Sequence, residues 1–97
     1  MKKNNQKKIT IIRPDDWHVH LRDNKALAYT VPDAAKIFGR SIVMPNLDPP
    51  ILTTEQAIAY RDRILKNISK NSRWRPLMVL YLTDKTEPKQ IAKAKAS

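Results

Sequence analysis

Three strand-like segments alternate with three helix-like segments along the 97-residue chain, and this order limits the possible folds more than any other feature. The strand-like runs are residues 16–22, 40–46 and 76–83. Each is followed by a helical pattern long enough for a right-handed crossover, and strands joined in this way run parallel. The sequence therefore predicts an α/β fold with a parallel sheet and βαβαβα order.

Proline, glycine and capping residues mark where the helices begin and end. The first helix is predicted over residues 31–38, with Pro32 in its first turn and Gly39, the only glycine, just past its end. Thr53 and Gln56 have the spacing of a capping box, which predicts the start of the second helix.

Apolar periodicity predicts the buried side of the second helix. The residues at helical intervals are Ala57, Tyr60, Ile64 and Ile68, and those expected to turn away are Arg61, Asp62 and Arg63. Asp84 or Thr86 could cap a last helix, with Pro88 in its first turn. The β-branched run at residues 9–13 predicts one further short strand.

Composition excludes several classes of protein. One glycine cannot form a glycine-rich phosphate loop, so a nucleotide-binding doubly wound sheet is disfavoured and a β/α barrel is the main parallel alternative. The chain has no cysteine, which excludes disulfides and thiolate metal sites. It also has no apolar run near the ~20 residues of a membrane helix and no signal peptide, so we expect a cytoplasmic protein without a membrane partner.

The net charge of +10 could indicate a nucleic-acid partner, but the distribution of lysines argues against one. Lysines cluster at the two ends of the chain: Lys2, Lys3, Lys7, Lys8, Lys85, Lys89, Lys93 and Lys95. No basic helix or aromatic RNA-binding pattern accompanies them. We therefore interpret residues 1–97 as part of one domain with solvated ends, in which residues 1–8 form a basic, flexible leader.

The segment "DWHVHLR" alternates polar and apolar residues, as a strand with two different faces does. One face would carry Asp16, His18, His20 and Arg22, and the other Trp17, Val19 and Leu21, with Trp17 expected in the core. Two imidazoles ~6.5–7 Å apart along a strand can converge on one metal ion, although a His-x-His pair on a half-exposed strand is more often two surface residues. Arg22 could then hold a carboxylate beyond the metal.

Asn46 occupies the corresponding position after the next strand, where it could join a site or simply form a turn after Pro45.

Two motifs together carry a family resemblance. "RPDDWHVHLRD" followed by "GRSIVMPNLDPP" closely resembles the beginning of dihydroorotase, of the shorter bacterial type in the amidohydrolase superfamily. The likeness continues through "TTEQAIAYRDRIL" and "PLMVLYLTD" to about residue 85. The His-x-His pair alone would indicate only the superfamily, whereas the arginine after it and "MPN" one strand later point to dihydroorotase.

The resemblance implies a (β/α)₈ barrel with a binuclear zinc centre, which interconverts dihydroorotate and N-carbamoyl-aspartate in pyrimidine synthesis. It implies that His18 and His20 ligate one zinc and that Arg22 and Asn46 hold the substrate carboxylate. It also implies a possible homodimer for the full-length enzyme. The family's bridging lysine, further histidine ligands and general base have no counterpart in these 97 residues, so no catalytic residue is assigned.

We therefore expect an amino-terminal portion of the barrel with at most a partial zinc site, marginally folded and inactive alone. Three alternatives stay open: another cyclic amidohydrolase such as a hydantoinase or allantoinase, a remnant without selected activity, and a basic fragment that binds nucleic acid. Because a carboxylate clamp serves no purpose for a substrate without that carboxylate, Arg22 and Asn46 favour dihydroorotase over another cyclic amidohydrolase. Nucleic-acid affinity that falls steeply with salt and does not depend on zinc would indicate the basic fragment.

Overall fold

The fold is taken from a computed structural model that describes residues 6–97. Of the predicted basic leader, residues 1–5 lie outside the described part of the chain. The strands are β1 (Asp16–Val19), β2 (Arg40–Val43) and β3 (Arg75–Met78), and the helices are α1 (Leu27–Ile37), α2 (Thr54–Leu65) and α3 (Pro88–Ala96). The three strands form one parallel sheet in the order β1-β2-β3. The predicted α/β fold with parallel βαβαβα order is confirmed.

The strands are shorter than the apolar runs that predicted them. Each spans 4 residues, and the predicted strand at residues 9–13 is wrong because residues 6–15 are not in a strand. Ile9 and Ile12 are exposed, so the β-branched run has no neighbouring strand to pair with. The first backbone hydrogen bond of this segment lies one residue after the predicted strand, where the Gly39 N–H donates to the Pro14 carbonyl at 2.9 Å.

Helix α1 begins earlier than predicted. The Asp23 carboxylate accepts a hydrogen bond from the Asn24 N–H and so starts a 3₁₀ turn (Asn24–Ala26) that leads into α1. Pro32 consequently lies inside the helix and not in its first turn, so that prediction is wrong. The helix ends before Gly39, as predicted, and its buried residues are Leu27, Val31 and Ala34.

Helix α2 follows its prediction closely. The Thr53 hydroxyl accepts from the Gln56 N–H at 3.2 Å, and the Gln56 side-chain oxygen accepts from the Thr53 N–H at 3.2 Å, which completes the capping box. Ala57, Tyr60 and Ile64 are buried, as their spacing predicted, whereas Ile68 lies past the end of the helix and packs against the core only half-buried. The helix is therefore fixed both by its cap and by its apolar face.

One core residue comes from the connection between α2 and β3. Trp74 is 4% exposed, and its indole N–H donates to the buried Ser41 hydroxyl at 2.9 Å. A buried indole N–H needs such an acceptor, and β2 provides it from the strand next to β3. The pair ties the start of β3 to the centre of the sheet.

Helix α3 is the least embedded element. Its N-cap is Glu87, without a side-chain cap, so the predicted caps Asp84 and Thr86 are wrong, while Pro88 does lie in the first turn. None of its residues is buried. Among residues 6–97, no helix has both the length and the apolar character needed to cross a membrane.

Candidate metal and carboxylate site

The two histidines converge at the carboxyl end of β1. His18 lies on the strand and His20 directly after it, and their Nε2 atoms are 3.1 Å apart. The ring centroids are 5.0 Å apart, and both side chains are exposed. Asp16 fixes the strand below them, because its carboxylate accepts from the His18 N–H at 3.0 Å.

This separation suits two ligands of one metal ion. Two imidazole nitrogens on a tetrahedral zinc, each at about 2.0–2.1 Å, would lie about 3.3 Å from each other. The observed 3.1 Å between the Nε2 atoms is close to that value. The distance between the two nitrogens is therefore compatible with ligation of one zinc, and at this distance the two rings can equally share one hydrogen bond.

Within residues 6–97, no group of three or more His, Cys, Asp or Glu side chains is placed to hold a metal ion. The two histidines are therefore a partial ligand set, since structural zinc takes four ligands and catalytic zinc commonly three from the protein.

Trp17, expected in the core, is instead 61% exposed, so that expectation is wrong. The Arg40 guanidinium lies over its ring, 5.7 Å from the centroid, and pairs with Asp15 at 2.6 Å. The hydrogen bond from Arg40 holds the pKa of Asp15 below its ordinary value. At Trp17 a cation takes the place of an apolar neighbour, while Leu21 is buried in the core and Val19 packs against the core half-buried.

Arg22 and Asn46 lie along one cavity of about 580 Å³. Arg22 follows β1 and Asn46 follows β2, so the parallel sheet brings its neighbouring carboxyl ends to the same edge. The loop after β2, which contains the cis peptide bond Asp48–Pro49, forms much of the cavity wall. A guanidinium and an amide along one open cavity can together bind a small carboxylate.

The backbone at Arg22 is unusual. Its φ is 62°, in the left-handed region that non-glycine residues seldom occupy. Its carbonyl accepts a hydrogen bond from the hydroxyl of Tyr60, a residue of α2 that is 1% exposed. The strand alternation that predicted the direction of Arg22 therefore ends before this residue.

Asp23 and Arg63 form a two-pronged ion pair beside the same cavity. The Arg63 Nε and Nη2 atoms donate to the two Asp23 carboxylate oxygens at 2.9 Å each. Burial alone would raise the pKa of Asp23, but hydrogen bonds from Arg63 and the Asn24 N–H outweigh it and lower the pKa. Arg63 was predicted to turn away, and that prediction is wrong.

Tyr60 and Arg63 were not recognised from the sequence as residues near the site. Their spacing of three on α2 was the available signal, because residues three apart share a helix face. The Arg63 guanidinium lies 5.3 Å from the centroid of the Tyr60 ring. Burial, and secondarily the Asp23 charge, raise the pKa of Tyr60 to about 12, so its hydroxyl stays protonated as a donor.

Fold and site define a class of protein. A parallel sheet with alternating helices, whose polar residues gather at the carboxyl ends of the strands, is the arrangement of part of a (β/α)₈ barrel. No protein-family model matches the chain. The particular relatives are dihydroorotases.

The sequence relatives agree with one another. The chain is 60% identical over 90 residues to the dihydroorotase of Pseudomonas fluorescens (strain SBW25), and the aligned residues make up 93% of this chain and 26% of that protein. It is 61% identical over 89 residues to the dihydroorotase of Shewanella putrefaciens (strain CN-32), and the aligned residues make up 92% of this chain and 26% of that protein. The chain thus spans about a quarter of the length of these curated relatives.

Solved structures give the same result for the backbone. A dihydroorotase from Campylobacter jejuni matches 87% of this chain and 24% of its own, with a TM-score of 0.78 and 39% identity. A dihydroorotase from Saccharomyces cerevisiae, in complex with 5-fluoroorotic acid, aligns with 86% of this chain and with 22% of its own chain, with a TM-score of 0.74 and 30% identity. Over its aligned residues the chain is therefore similar to dihydroorotases in both sequence and backbone.

Proposed function

We propose that this chain supplies the first-strand metal ligands and the carboxylate-binding residues of a dihydroorotase, the zinc-dependent hydrolase that reversibly opens the cyclic amide of dihydroorotate. One observation supports the proposal: Arg22 and Asn46, which follow β1 and β2, line one cavity, and the Nε2 atoms of His18 and His20, at the end of β1 and just after it, are 3.1 Å apart outside that lining. Pyrimidine biosynthesis and a cytoplasmic location belong to the same proposal.

His18 and His20 would hold the metal through their Nε2 atoms, which already face each other at 3.1 Å. When bound, zinc supplies Lewis-acid polarisation of an amide carbonyl and a hydroxide nucleophile near neutral pH. The histidines must be neutral at Nε2 to bind, so their ligation competes with protonation. A His18→Ala variant therefore loses the pair as a chelate and keeps only one imidazole.

Arg22 and Asn46 would orient the substrate through its carboxylate. A guanidinium offers paired N–H donors that match the two oxygens of a carboxylate, and the amide of Asn46 offers a further donor. The Saccharomyces cerevisiae structure was solved with 5-fluoroorotic acid, a pyrimidine ring that bears a carboxylate. That ligand has the chemistry that this cavity is suited to hold, which supports dihydroorotase over amidohydrolases whose substrates lack the carboxylate.

Fluorine NMR can test the carboxylate clamp on the 97-residue chain. We expect 5-fluoroorotate to bind with measurable line broadening and 5-fluorouracil, the same ring without the carboxylate, to bind at least about tenfold more weakly. Arg22→Ala should remove this preference, and Asn46→Ala should reduce it. Arg73→Ala is the matched control, because Arg73 lies along a different cavity, with Arg13 and Lys36.

Equal binding of the two fluorinated rings, or a preference that survives Arg22→Ala, would contradict the carboxylate clamp. The reaction itself is tested in a chimera in which this chain replaces the 90 aligned residues of the Pseudomonas fluorescens enzyme. Dihydroorotate hydrolysis by the chimera, lost with His18→Ala, is the expected outcome. A chimera that folds and binds zinc but does not hydrolyse dihydroorotate would refute the proposed activity.

A further inference from the structure

The guanidinium of Arg22 depends on an unusual backbone turn. An arginine that simply continued β1 would have an extended backbone, whereas Arg22 has a φ of 62° and the strand has already ended at Val19. Left-handed backbone at a non-glycine residue is unfavourable and persists only where surrounding contacts hold it.

Helix α2 provides a contact on each side of the peptide bond that follows Arg22. Before the bond, the Tyr60 hydroxyl donates to the Arg22 carbonyl. After it, the Asp23 carboxylate binds the Arg63 guanidinium in a two-pronged pair at 2.9 Å. Tyr60 and Arg63 are three residues apart on α2, so a single helix face holds both ends of the bond.

The donor in this arrangement is well fixed. Tyr60 is 1% exposed, and its ring packs in the core with Leu21 and Ile64, so the hydroxyl has little freedom to choose another acceptor. Asn24, the next residue but one, is also left-handed with a φ of 51°, and its N–H is held by Asp23. The whole turn at residues 22–24 is therefore attached to α2 through Tyr60 and Arg63.

We infer that Tyr60, assisted by Arg63, is a positioning residue that holds Arg22 in the left-handed turn from which its side chain lines the carboxylate cavity. The inference rests on the proposed function for the identity of the ligand but not for the backbone geometry. Tyr60 acts through Arg22, since the cavity lining includes Arg22 and Arg63 but not Tyr60. If Tyr60 served only to pack the core, loss of its hydroxyl would leave the backbone conformation of Arg22 unchanged.

The test uses the labelled 97-residue chain and compares Tyr60→Phe with Tyr29→Phe, a tyrosine that is 76% exposed. The sign of φ at Arg22 is measured from the intraresidue amide-to-Hα NOE and coupling. We expect Tyr60→Phe to shift Arg22 towards extended backbone and to weaken 5-fluoroorotate binding about tenfold, as loss of one buried hydrogen bond predicts. Zinc affinity at His18 and His20 should not change, and Tyr29→Phe should match the unmodified chain.

Retention of the left-handed turn in Tyr60→Phe overturns the inference, whatever happens to ligand affinity. Should Tyr60→Phe unfold, Arg63→Lys keeps the charge without the two-pronged pair, and Arg61→Lys on the same helix is its control. Arg63→Lys should then shift Arg22 towards extended backbone by less than Tyr60→Phe is expected to, and Arg61→Lys should leave Arg22 unchanged. A left-handed turn that is unchanged in both lysine variants overturns the inference. Failure of the unmodified chain to prefer 5-fluoroorotate over 5-fluorouracil refutes the proposed function instead, because the backbone measurement does not depend on it.

Discussion

Helices α2 and α3 both follow a parallel strand, yet they are held to the rest of the chain in different ways. Helix α2 has a complete capping box and buries Thr54, Ala57, Tyr60 and Ile64. Helix α3 has no side-chain cap and buries nothing, and it meets α2 mainly through polar contacts of Gln90 and Lys93. Helix α2 therefore organises the candidate site, whereas α3 lies on the surface of the fold.

The candidate site obtains its rigidity from α2 and not from α3. Tyr60 and Arg63 hold the turn after β1, so α2 links the core to the cavity that Arg22 lines. Helix α3 has no residue along that cavity. Substitutions on the two helices should therefore differ both in stability and in their effect on the site.

The largest effect is expected for Ile64→Ala on α2. Ile64 is fully buried, and removal of three carbon atoms from such a site leaves a cavity and costs about 3 kcal/mol of unfolding free energy. Urea unfolding followed by far-UV circular dichroism measures the loss. A loss below about 1 kcal/mol would show that the site can collapse, and the contrast between the two helices would then fail.

A second prediction concerns alkaline pH and Tyr60. Burial raises the folded-state pKa of Tyr60 to about 12, above its ordinary value of 10.0, so the neutral hydroxyl is favoured in the folded chain. The stability linked to this group is complete below pH 10 and is lost as the pH rises to about 12, which amounts to at most roughly 2–3 kcal/mol. Unfolding free energies of the unmodified chain and of Tyr60→Phe should therefore converge across that range.

Lysines also titrate at alkaline pH, so the informative quantity is the difference between the two chains at each pH. Tyr29→Phe is the control, and the pH dependence of its stability should follow that of the unmodified chain. A constant difference between the unmodified chain and Tyr60→Phe from pH 9 to 12 would show that the hydroxyl is not buried in the folded state.

A smaller effect is expected at the start of α2. Thr53→Ala removes the acceptor for the Gln56 N–H and should lower the unfolding free energy by about 1 kcal/mol. Thr86→Ala is the matched control, because Thr86 accepts from the Thr83 N–H in a turn and does not cap α3. Equal losses in the two variants would indicate that the box adds nothing beyond an ordinary threonine contact.

Sequence patterns predicted the elements whose causes are local. The capping box of Thr53 and Gln56 and the buried spacing of Ala57, Tyr60 and Ile64 depend on residues within one helix, and both are confirmed. Parallel strand order follows from crossover length, which is also readable along the chain. These features need no knowledge of what lies across the sheet.

Features that depend on distant partners were not predicted. Residues 9–13 have the composition of a strand but no strand to pair with, and Trp17 lies under Arg40 in place of core residues. Arg63 was assigned to solvent because its attraction to Asp23 spans 40 positions of sequence. For the candidate site, the alternation of "DWHVHLR" indicated the histidine pair, but the turn at Arg22 depends on Tyr60 and is invisible to periodicity.

The smallest effect is expected for Ile91→Ala on α3, the same type of substitution as Ile64→Ala. Ile91 is 60% exposed, and alanine is the better helix former, so the change in unfolding free energy should stay within about 0.5 kcal/mol. Gln90→Ala removes the two hydrogen bonds that the Gln90 side chain accepts from Thr54, and it should instead speed amide exchange along α3 while α2 stays protected. A loss for Ile91→Ala as large as that for Ile64→Ala would mean that α3 is packed in solution, and the distinction between the two helices would not hold.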